Sequence, residues 1–345
     1  MVPFAGYEMP VQFPAGILAE HRHTRAAASL FDVSHMGQAR LPLSAARGLE
    51  SLAPTDALGL SPGRQRYAFL VNDAGGIEDD FMLANTGEHL FVVVNASRKA
   101  GDFALLADLD PVILPDRALL ALQGPGAAKV LPDLAAKLAF MQVATTKIHG
   151  IECLASRSGY TGEDGFEISV AGDSALAVAR HLLGHESVKP AGLGARDSLR
   201  LEAGLCLYGH DIDATTTPIE AALEWAIPQV RRRGGARAGG FPGAGAILDQ
   251  IEFGVLTRRV GVLPEGRAPL REGERLYDAG GSFIGRITSG GFGATLDAPI
   301  AMAYVQRRLA APGTEIAAQV RGRPRPCRVA SLPFVPHRYY RGKPA

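Results

Sequence analysis

A short acidic segment contains the carboxylates with the clearest chemical potential. Residues 75–80 read Gly-Gly-Ile-Glu-Asp-Asp and follow the turn-forming run Asn72-Asp73-Ala74. If the segment continues as a strand, successive side chains point to opposite faces. Asp79 then shares an apolar face with Ile77 and Phe81, where a carboxylate must be paired, be hydrogen-bonded or have a raised pKa. A structural aspartate and a catalytic one both fit this pattern.

A second candidate lies in the glycine-rich run 159–168, Gly-Tyr-Thr-Gly-Glu-Asp-Gly-Phe-Glu-Ile. Three glycines in so short a span indicate a tight loop whose backbone lies close to another group. Glu167 lies on the face opposite Phe166 and Ile168, so it faces either solvent or a pocket, and the pattern alone favours solvent. In a pocket, its two oxygens could accept hydrogen bonds from paired N–H donors of a ligand.

Two arginines form a third candidate group. Arg196 and Arg200 are four residues apart in a predicted helix over 195–203, so they share one side of it, with Asp197 and Glu202 available as partners. A salt-bridged helix surface is the favoured interpretation of this spacing. The alternative is that one guanidinium binds a ligand carboxylate.

The elements that position these residues are strands mixed with helices. Strands 66–71 and 77–84 flank a hairpin turn at 72–76, and a helix is predicted over 21–30. Antiparallel pairs mixed with helices indicate an α+β fold. Beyond the Arg231-Arg232-Arg233 run, interpreted as a boundary or solvated loop, short strands separated by glycine and proline predict a small antiparallel barrel. These strands are 258–263, 275–277, 283–288, 301–305 and 316–321.

Composition and missing motifs exclude several classes of protein. The net charge of +1 over 345 residues gives no reason to expect nucleic acid as a partner. Three scattered cysteines and no Cys/His ligand spacing argue against a metal site or a disulfide framework. No secretory signal or bilayer-spanning run is present, which predicts a bacterial cytoplasmic protein without a membrane partner, with a mature mitochondrial form as the less favoured alternative. Nucleotide-binding glycine loops and a G-x-S-x-G nucleophile motif are also missing.

Six segments in order along the chain resemble the aminomethyltransferase family, the T-protein of the glycine cleavage system. They are Phe31–Met36, Gly75–Asp80, Leu122–Pro125, Gly159–Ile168, Gly192–Gly209 and Pro333–Pro336. The resemblance implies a three-lobed, cloverleaf-like α+β fold. Its expected domains are a folate-binding region of two lobes over 1–232 and a C-terminal β-barrel over 250–338.

The resemblance also implies the reaction and its residues. The partner, lipoylated H-protein, presents an aminomethyl group, tetrahydrofolate accepts the methylene carbon as co-substrate, and ammonia and dihydrolipoyl H-protein are released. By position, Asp79 matches the essential aspartate near the reacting folate nitrogens, and Glu167 matches the glutamate that binds the pterin edge. Arg196 matches a folate-contacting arginine, and Met36 and Tyr339 match residues lining the folate cavity. No metal is implied.

Two kinds of related protein are alternatives. One is another folate-dependent member of the superfamily, such as a demethylase; the related oxidising enzymes usually carry a dinucleotide-binding part, which this sequence lacks. The other is a non-enzymatic, folate-binding iron–sulfur assembly factor, marked by a K-G-C-Y-x-G-Q segment. Here residues 203–210 read Ala-Gly-Leu-Cys-Leu-Tyr-Gly-His, which is the T-protein form. The resemblance therefore favours the aminomethyltransferase.

Overall fold

The computed structural model describes residues 1–342, which divide into two units. Unit 1 comprises Met1–Leu70, Asp79–Arg196 and the C-terminal residues from Arg338; unit 2 comprises Val71–Glu78 and Asp197–His337. The strands are β1 Val2–Phe4, β2 Tyr7–Met9, β3 Ala28–Asp32, β4 Gly37–Leu41, β5 Arg64–Val71, β6 Ile77–Asn85, β7 Leu90–Val94, β8 Val112–Ile113, β9 Arg117–Gln123, β10 Val143–Ile148, β11 Ile151–Ser156, β12 Gly165–Ala171, β13 Val188–Pro190, β14 Thr257–Pro264, β15 Arg275–Tyr277, β16 Phe283–Gly293, β17 Ala298–Gln306, β18 Glu315–Val320 and β19 Arg323–Ala330. The helices are α1 Ile17–Ala26, α2 Ala46–Glu50, α3 Lys99–Leu105, α4 Ala127–Val130, α5 Pro132–Lys137, α6 Gly172–Leu183, α7 Leu193–Glu202 and α8 Ala244–Phe253.

The first sheet of unit 1 has the strand order β5-β6-β7-β4-β8. The hairpin predicted between β5 and β6 is confirmed, and the backbone N–H of Asn72 donates to the carbonyl of Gly76 across the turn (3.0 Å). Gly75 adopts φ +85°, which glycine tolerates best. One face of the sheet is apolar, with Leu83 and Val92 fully buried in a core that also contains Leu49 and Leu106. This core fixes which side of β6 is buried.

The second sheet of unit 1 has the order β10-β11-β12-β9-β3-β13 and carries the strand with Glu167. Its antiparallel centre pairs Glu167 with Ala121 across β12 and β9. The β13–β3 pair is parallel, so the sheet is mixed. Phe166 and Ile168 belong to a buried cluster that also includes Val178 of helix α6. Burial of both neighbours directs Glu167 to the opposite face.

The predicted helix over 21–30 is wrong in its second half. Helix α1 ends at Ala26, because Ala27 leaves helical geometry (φ −136°, ψ −116°). Residues Ala28–Asp32 form β3, where Leu30 pairs with Leu122 of β9. The apolar residues of this segment fit a helical face as well as a buried strand, and pairing in the sheet decides between them.

Unit 2 contains a closed barrel of β14-β17-β16-β15-β18-β19, which confirms the predicted antiparallel barrel and the α+β class. The last strand, β19, was not predicted, because Pro324 and Pro326 lack the N–H that a strand normally donates.

The arginine run at 231–233 was interpreted as a solvated loop. In the structure Arg231 is buried, and Arg232 donates to the carbonyl of Ile227 (2.8 Å). Only Arg233 is exposed, so that interpretation fits one residue of three. No helix within residues 1–342 is long and apolar enough to cross a membrane.

Candidate active site

Asp79 and Asp80 are bridged by one asparagine. The side-chain Nδ2 of Asn95 donates to Oδ1 of Asp79 (2.9 Å) and to Oδ1 of Asp80 (2.8 Å). Its backbone N–H donates to Oδ2 of Asp79 (3.1 Å). The sheet register explains the arrangement: Phe81 pairs with Val94, so the residues just before Phe81 lie opposite those just after Val94. Asn95 therefore holds both carboxyl groups at one end of the sheet.

Exposure separates the two carboxyl groups. The alternation predicted for β6 is confirmed: Asp79 is 0% exposed on the same face as Ile77 and Phe81, whereas Asp80 is half-buried. Asp80 shares its face with Met82 and Ala84, and these two residues line a cavity that Glu167 also lines. Asp79, the residue chosen from the sequence, points into the apolar core, and Asp80 is the more accessible of the two.

Both carboxyl groups hold protons more tightly than in water. Burial, with the hydrogen bond and charge of Asp102, raises the pKa of Asp79 to about 8. Burial and the charge of Asp79 raise the pKa of Asp80 to about 7, against hydrogen bonds from Tyr67 and Asn95. A carboxyl group that titrates near neutral pH can both accept and return a proton during turnover.

Glu167 lies in the cavity and not in solvent, so the preference derived from the sequence pattern is wrong. Its carboxylate accepts a hydrogen bond from Oγ of Ser158 (2.7 Å). The other lining residues are mostly apolar, and they come from both sheets of unit 1, among them Met82, Phe91 and Leu154. A carboxylate with spare acceptor capacity in such a setting can accept further hydrogen bonds from N–H donors.

Arg196 and Arg200 differ sharply in their partners. The guanidinium of Arg196 lies over the ring of Tyr160 (4.6 Å to the centroid), and its buried Nη1 has no hydrogen-bond partner among residues 1–342. Burial lowers the pKa of Arg196, and the charges of Tyr160 and Glu167 oppose that effect. Arg200 forms the ion pair with Asp197 that its spacing predicts (2.8 Å), and it also pairs with Asp211 (2.6 Å); it is buried, so only its expected position on the helix surface is wrong. Only Arg196 has a donor left for a ligand.

The two remaining predicted residues lie in unit 1 as well. Met36 directly precedes β4, and because Gly37 pairs with Val94, it lies at the end of the sheet where β7 leads into Asn95. Tyr339 stacks on Phe140 (4.1 Å between centroids, 7° between planes), and burial raises its pKa to about 12.

A salt bridge ties the C-terminal segment to the glycine-rich loop. Arg338 next to Tyr339 forms an ion pair with Glu163 (2.9 Å). The same Oε1 of Glu163 also accepts from Nη1 of Arg25 (2.8 Å). Tyr339 is thereby held near the loop that leads to Glu167.

Sequence reasoning missed Asn95 and Tyr67. Asn95 is the first polar residue after the apolar run of β7, and a polar side chain where a buried strand ends is the signal that could have identified it. Tyr67 contacts Asp80 from the neighbouring strand β5. Neither contact can be derived without the pairing register of the strands.

The chain matches known proteins over almost its whole length. Residues 1–230 match the family model of the GCVT N-terminal domain, and residues 258–336 match that of the glycine cleavage T-protein C-terminal barrel domain. The mitochondrial aminomethyltransferase of Gallus gallus is 44% identical over 99% of this chain and 91% of its own length. That of Dictyostelium discoideum is 42% identical over 98% of this chain and 90% of its own length.

A solved structure is also similar. The crystal structure of glycine cleavage system aminomethyltransferase T from Bartonella henselae superposes with a TM-score of 0.91 at 44% identity. It covers 98% of this chain and 95% of the solved chain. The chain therefore belongs to the aminomethyltransferase family, the T-proteins of the glycine cleavage system.

Proposed function

We propose that the chain transfers the methylene carbon of an aminomethyl group on the lipoyl arm of H-protein to tetrahydrofolate. The products are ammonia, 5,10-methylenetetrahydrofolate and dihydrolipoyl H-protein. The observation that carries the proposal is the grouping in unit 1 of three features: a cavity carboxylate at Glu167, an unpaired buried Nη1 on Arg196 and an accessible carboxyl group at Asp80. Folate-dependent release of ammonia from aminomethylated H-protein tests it.

The residues present fit a folate. Glu167 has acceptor oxygens for the amino and ring N–H groups of a pterin edge, and Arg196 has a free donor for an acceptor atom of the ligand. Met36 and Tyr339 supply apolar surface, the latter as part of an aromatic stack with Phe140. Folate would supply the nucleophilic nitrogens that receive the carbon.

Asp80 and Asp79 have different roles in this proposal. The reaction forms two C–N bonds, breaks one C–S and one C–N bond, and requires two N–H protons to leave the accepting nitrogens. Asp80, with an accessible face, accepts a proton at a carboxylate oxygen and returns it to the departing groups. Asp79, which is fully buried, orients Asp80 through the shared amide of Asn95. Asp80 is therefore proposed as the catalytic residue and Asp79 as its positioning residue.

Replacing Glu167 by glutamine should weaken folate binding about tenfold or more with little effect on kcat. A charge-assisted hydrogen bond is worth about 1.5–3 kcal/mol, and glutamine substitutes an NH₂ group for one acceptor oxygen. Titration of intrinsic fluorescence with tetrahydrofolate measures the Kd. Glu152→Gln, at an exposed position on the adjacent strand β11, is the control. An unchanged Kd in Glu167→Gln would remove this residue from the binding site.

Asp79→Asn should flatten the fall in thermal stability between pH 5.5 and pH 8.5. Because the folded-state pKa of Asp79 is raised to about 8, the folded state binds a proton that the unfolded chain releases near pH 4. The contribution of Asp79 to the free energy of unfolding is fully present below pH 4 and is lost as the pH rises through 8. Calorimetry at several pH values gives the slope, with exposed Asp73→Asn as control. An equal or steeper slope in Asp79→Asn would contradict the assignment.

The partner, the location and the domain limits are proposals too. H-protein as partner follows from the proposed reaction. Three free, buried cysteines fit a reducing compartment, and we propose the bacterial cytoplasm, although the relatives cited above are named as mitochondrial. We also propose that residues 1–232 and 250–338 are separate domains.

A further inference from the structure

His35 is a buried imidazole that the proposed chemistry does not use. It is 4% exposed, and its Nδ1 is buried without a hydrogen-bond partner in the part of the chain that the structure describes. Buried polar atoms nearly always have a partner, and an unpaired one costs free energy unless water or a ligand supplies the bond. The imidazole therefore needs an explanation.

The ring of His35 packs beside two aromatic rings. Phe4 contacts it edge-on, with centroids 5.4 Å apart and planes at 89°, and Tyr7 lies 6.4 Å away. Both come from the β1–β2 hairpin. The ammonium group of Lys99 lies 4.6 Å from the Tyr7 ring centroid, and its stem fills the space beside Gly37. The imidazole is therefore enclosed on the side of this hairpin.

His35 is uncharged near neutral pH. Burial and the positive charge of Arg196 lower its pKa to about 4, with a further lowering by Lys99 and an opposing effect of Asp32. A neutral imidazole has one nitrogen that donates a hydrogen bond and one that accepts. Arg196 can only donate, and an ionised Glu167 can only accept.

The position of His35 connects it to the candidate site. His35 and Met36 directly precede β4, whose first residue, Gly37, pairs with Val94. They therefore lie at the end of the sheet where Asn95 bridges the two aspartates. The charge of Arg196 acts on His35, and Arg196 also carries an unpaired buried atom, Nη1. The unpaired nitrogen of His35 thus belongs to a side chain that interacts electrostatically with a residue proposed to hold folate.

We propose that His35 is a further folate-binding residue. Its Nδ1 forms a hydrogen bond with a polar atom at the edge of the pteridine ring, beside Arg196. The inference rests on the proposed function. A reduced pteridine carries both donors and acceptors on its rings, and a neutral imidazole matches either kind. Because Nδ1 is buried without a hydrogen-bond partner before folate binds, the folded chain carries a free-energy cost that a hydrogen bond with folate removes.

The direct test is the ¹⁵N resonance of His35 Nδ1 in histidine-labelled wild-type chain, followed during titration with tetrahydrofolate. We expect this resonance to shift on saturation, and the resonances of exposed His149 to stay unchanged. His35→Phe keeps an aromatic ring but loses Nδ1, and its Kd for tetrahydrofolate should rise about tenfold. His35→Asn keeps a polar group near the Nδ1 position, and its Kd should stay within about threefold of wild type. Without folate, the Tm of His35→Phe should equal or exceed that of wild type, because the unpaired group is gone.

Two results would overturn the inference: an Nδ1 resonance that does not move at saturating folate, as expected if water is its only partner, or a wild-type Kd in His35→Phe. The resonance experiment decides the matter if the phenylalanine variant does not fold. Failure of the wild-type chain to bind tetrahydrofolate at all would instead overturn the proposed function, and this inference with it.

Discussion

Asp80→Asn is expected to lower kcat for folate-dependent ammonia release by about 10³-fold, within the range of about 10²–10⁴ that general acid–base groups supply. The reason is access combined with a suitable pKa. Asp80 is half-buried on the cavity face of β6 and has its pKa raised to about 7, so it can exchange a proton at neutral pH. Asparagine keeps the shape of the side chain, so the fold and the Kd for folate should change little. Rapid-quench assays at saturating folate and aminomethylated H-protein measure the effect.

The matched variant is Asp79→Asn, which alters the other carboxyl group held by the same asparagine. We expect a loss in kcat of about tenfold or less, because Asp79 acts only by orienting Asp80. The pH dependence of kcat should lose its inflection near 7 in Asp80→Asn, whereas in Asp79→Asn the inflection should move to lower pH, because the charge that helps to raise the pKa of Asp80 is gone. If Asp79→Asn proves the more damaging of the two, Asp79 is the reacting group, as the family resemblance implied.

Arg196→Leu should raise the KM and Kd for tetrahydrofolate by about 100-fold. The donor that it removes is buried and has no protein partner, so its loss affects the ligand more than the fold. Arg200→Leu, four residues later, should instead affect the stability of the fold more than the binding of the ligand. It breaks a buried ion pair with Asp211, at a cost of about 3–5 kcal/mol in the free energy of unfolding.

Combining Arg196→Leu with Glu167→Gln tests whether the two residues bind one ligand. Their charges interact in the folded chain, so the effects on folate affinity should not add. Equilibrium titrations and thermal melts of the four proteins of the cycle give both quantities. A Kd in Arg196→Leu within about threefold of wild type, or a large drop in its Tm without folate, would show that Arg196 is a structural residue.

Much of the fold follows from local sequence signals. The β5–β6 hairpin is marked by its turn residues, and most barrel strands by short apolar runs between glycines and prolines. Where prediction failed, the deciding contact was distant in sequence. Ala28–Asp32 became a strand because β9 pairs with it, and the proline-containing β19 closes the barrel through β14 and β18.

Prediction of the site residues was limited in the same way, because the contacts that decide their surroundings are distant in sequence. Alternation correctly placed Asp79 on the apolar face and Asp80 on the opposite face, but it could not show that the opposite face borders a cavity. That distinction depends on how the two sheets of unit 1 pack. Glu167 was expected in solvent for the same reason. The two arginines lie on the same side of one helix, and their different partners in the folded chain distinguish them.

The measurement that tests the central claim most directly is the release of ammonia from aminomethylated H-protein by the purified chain, with and without tetrahydrofolate. We predict a large acceleration by tetrahydrofolate, with 5,10-methylenetetrahydrofolate formed in equal amount to the ammonia and with dihydrolipoyl H-protein as the other product. Ammonia release at the same rate without folate, or release without a matching yield of 5,10-methylenetetrahydrofolate, would contradict the assignment.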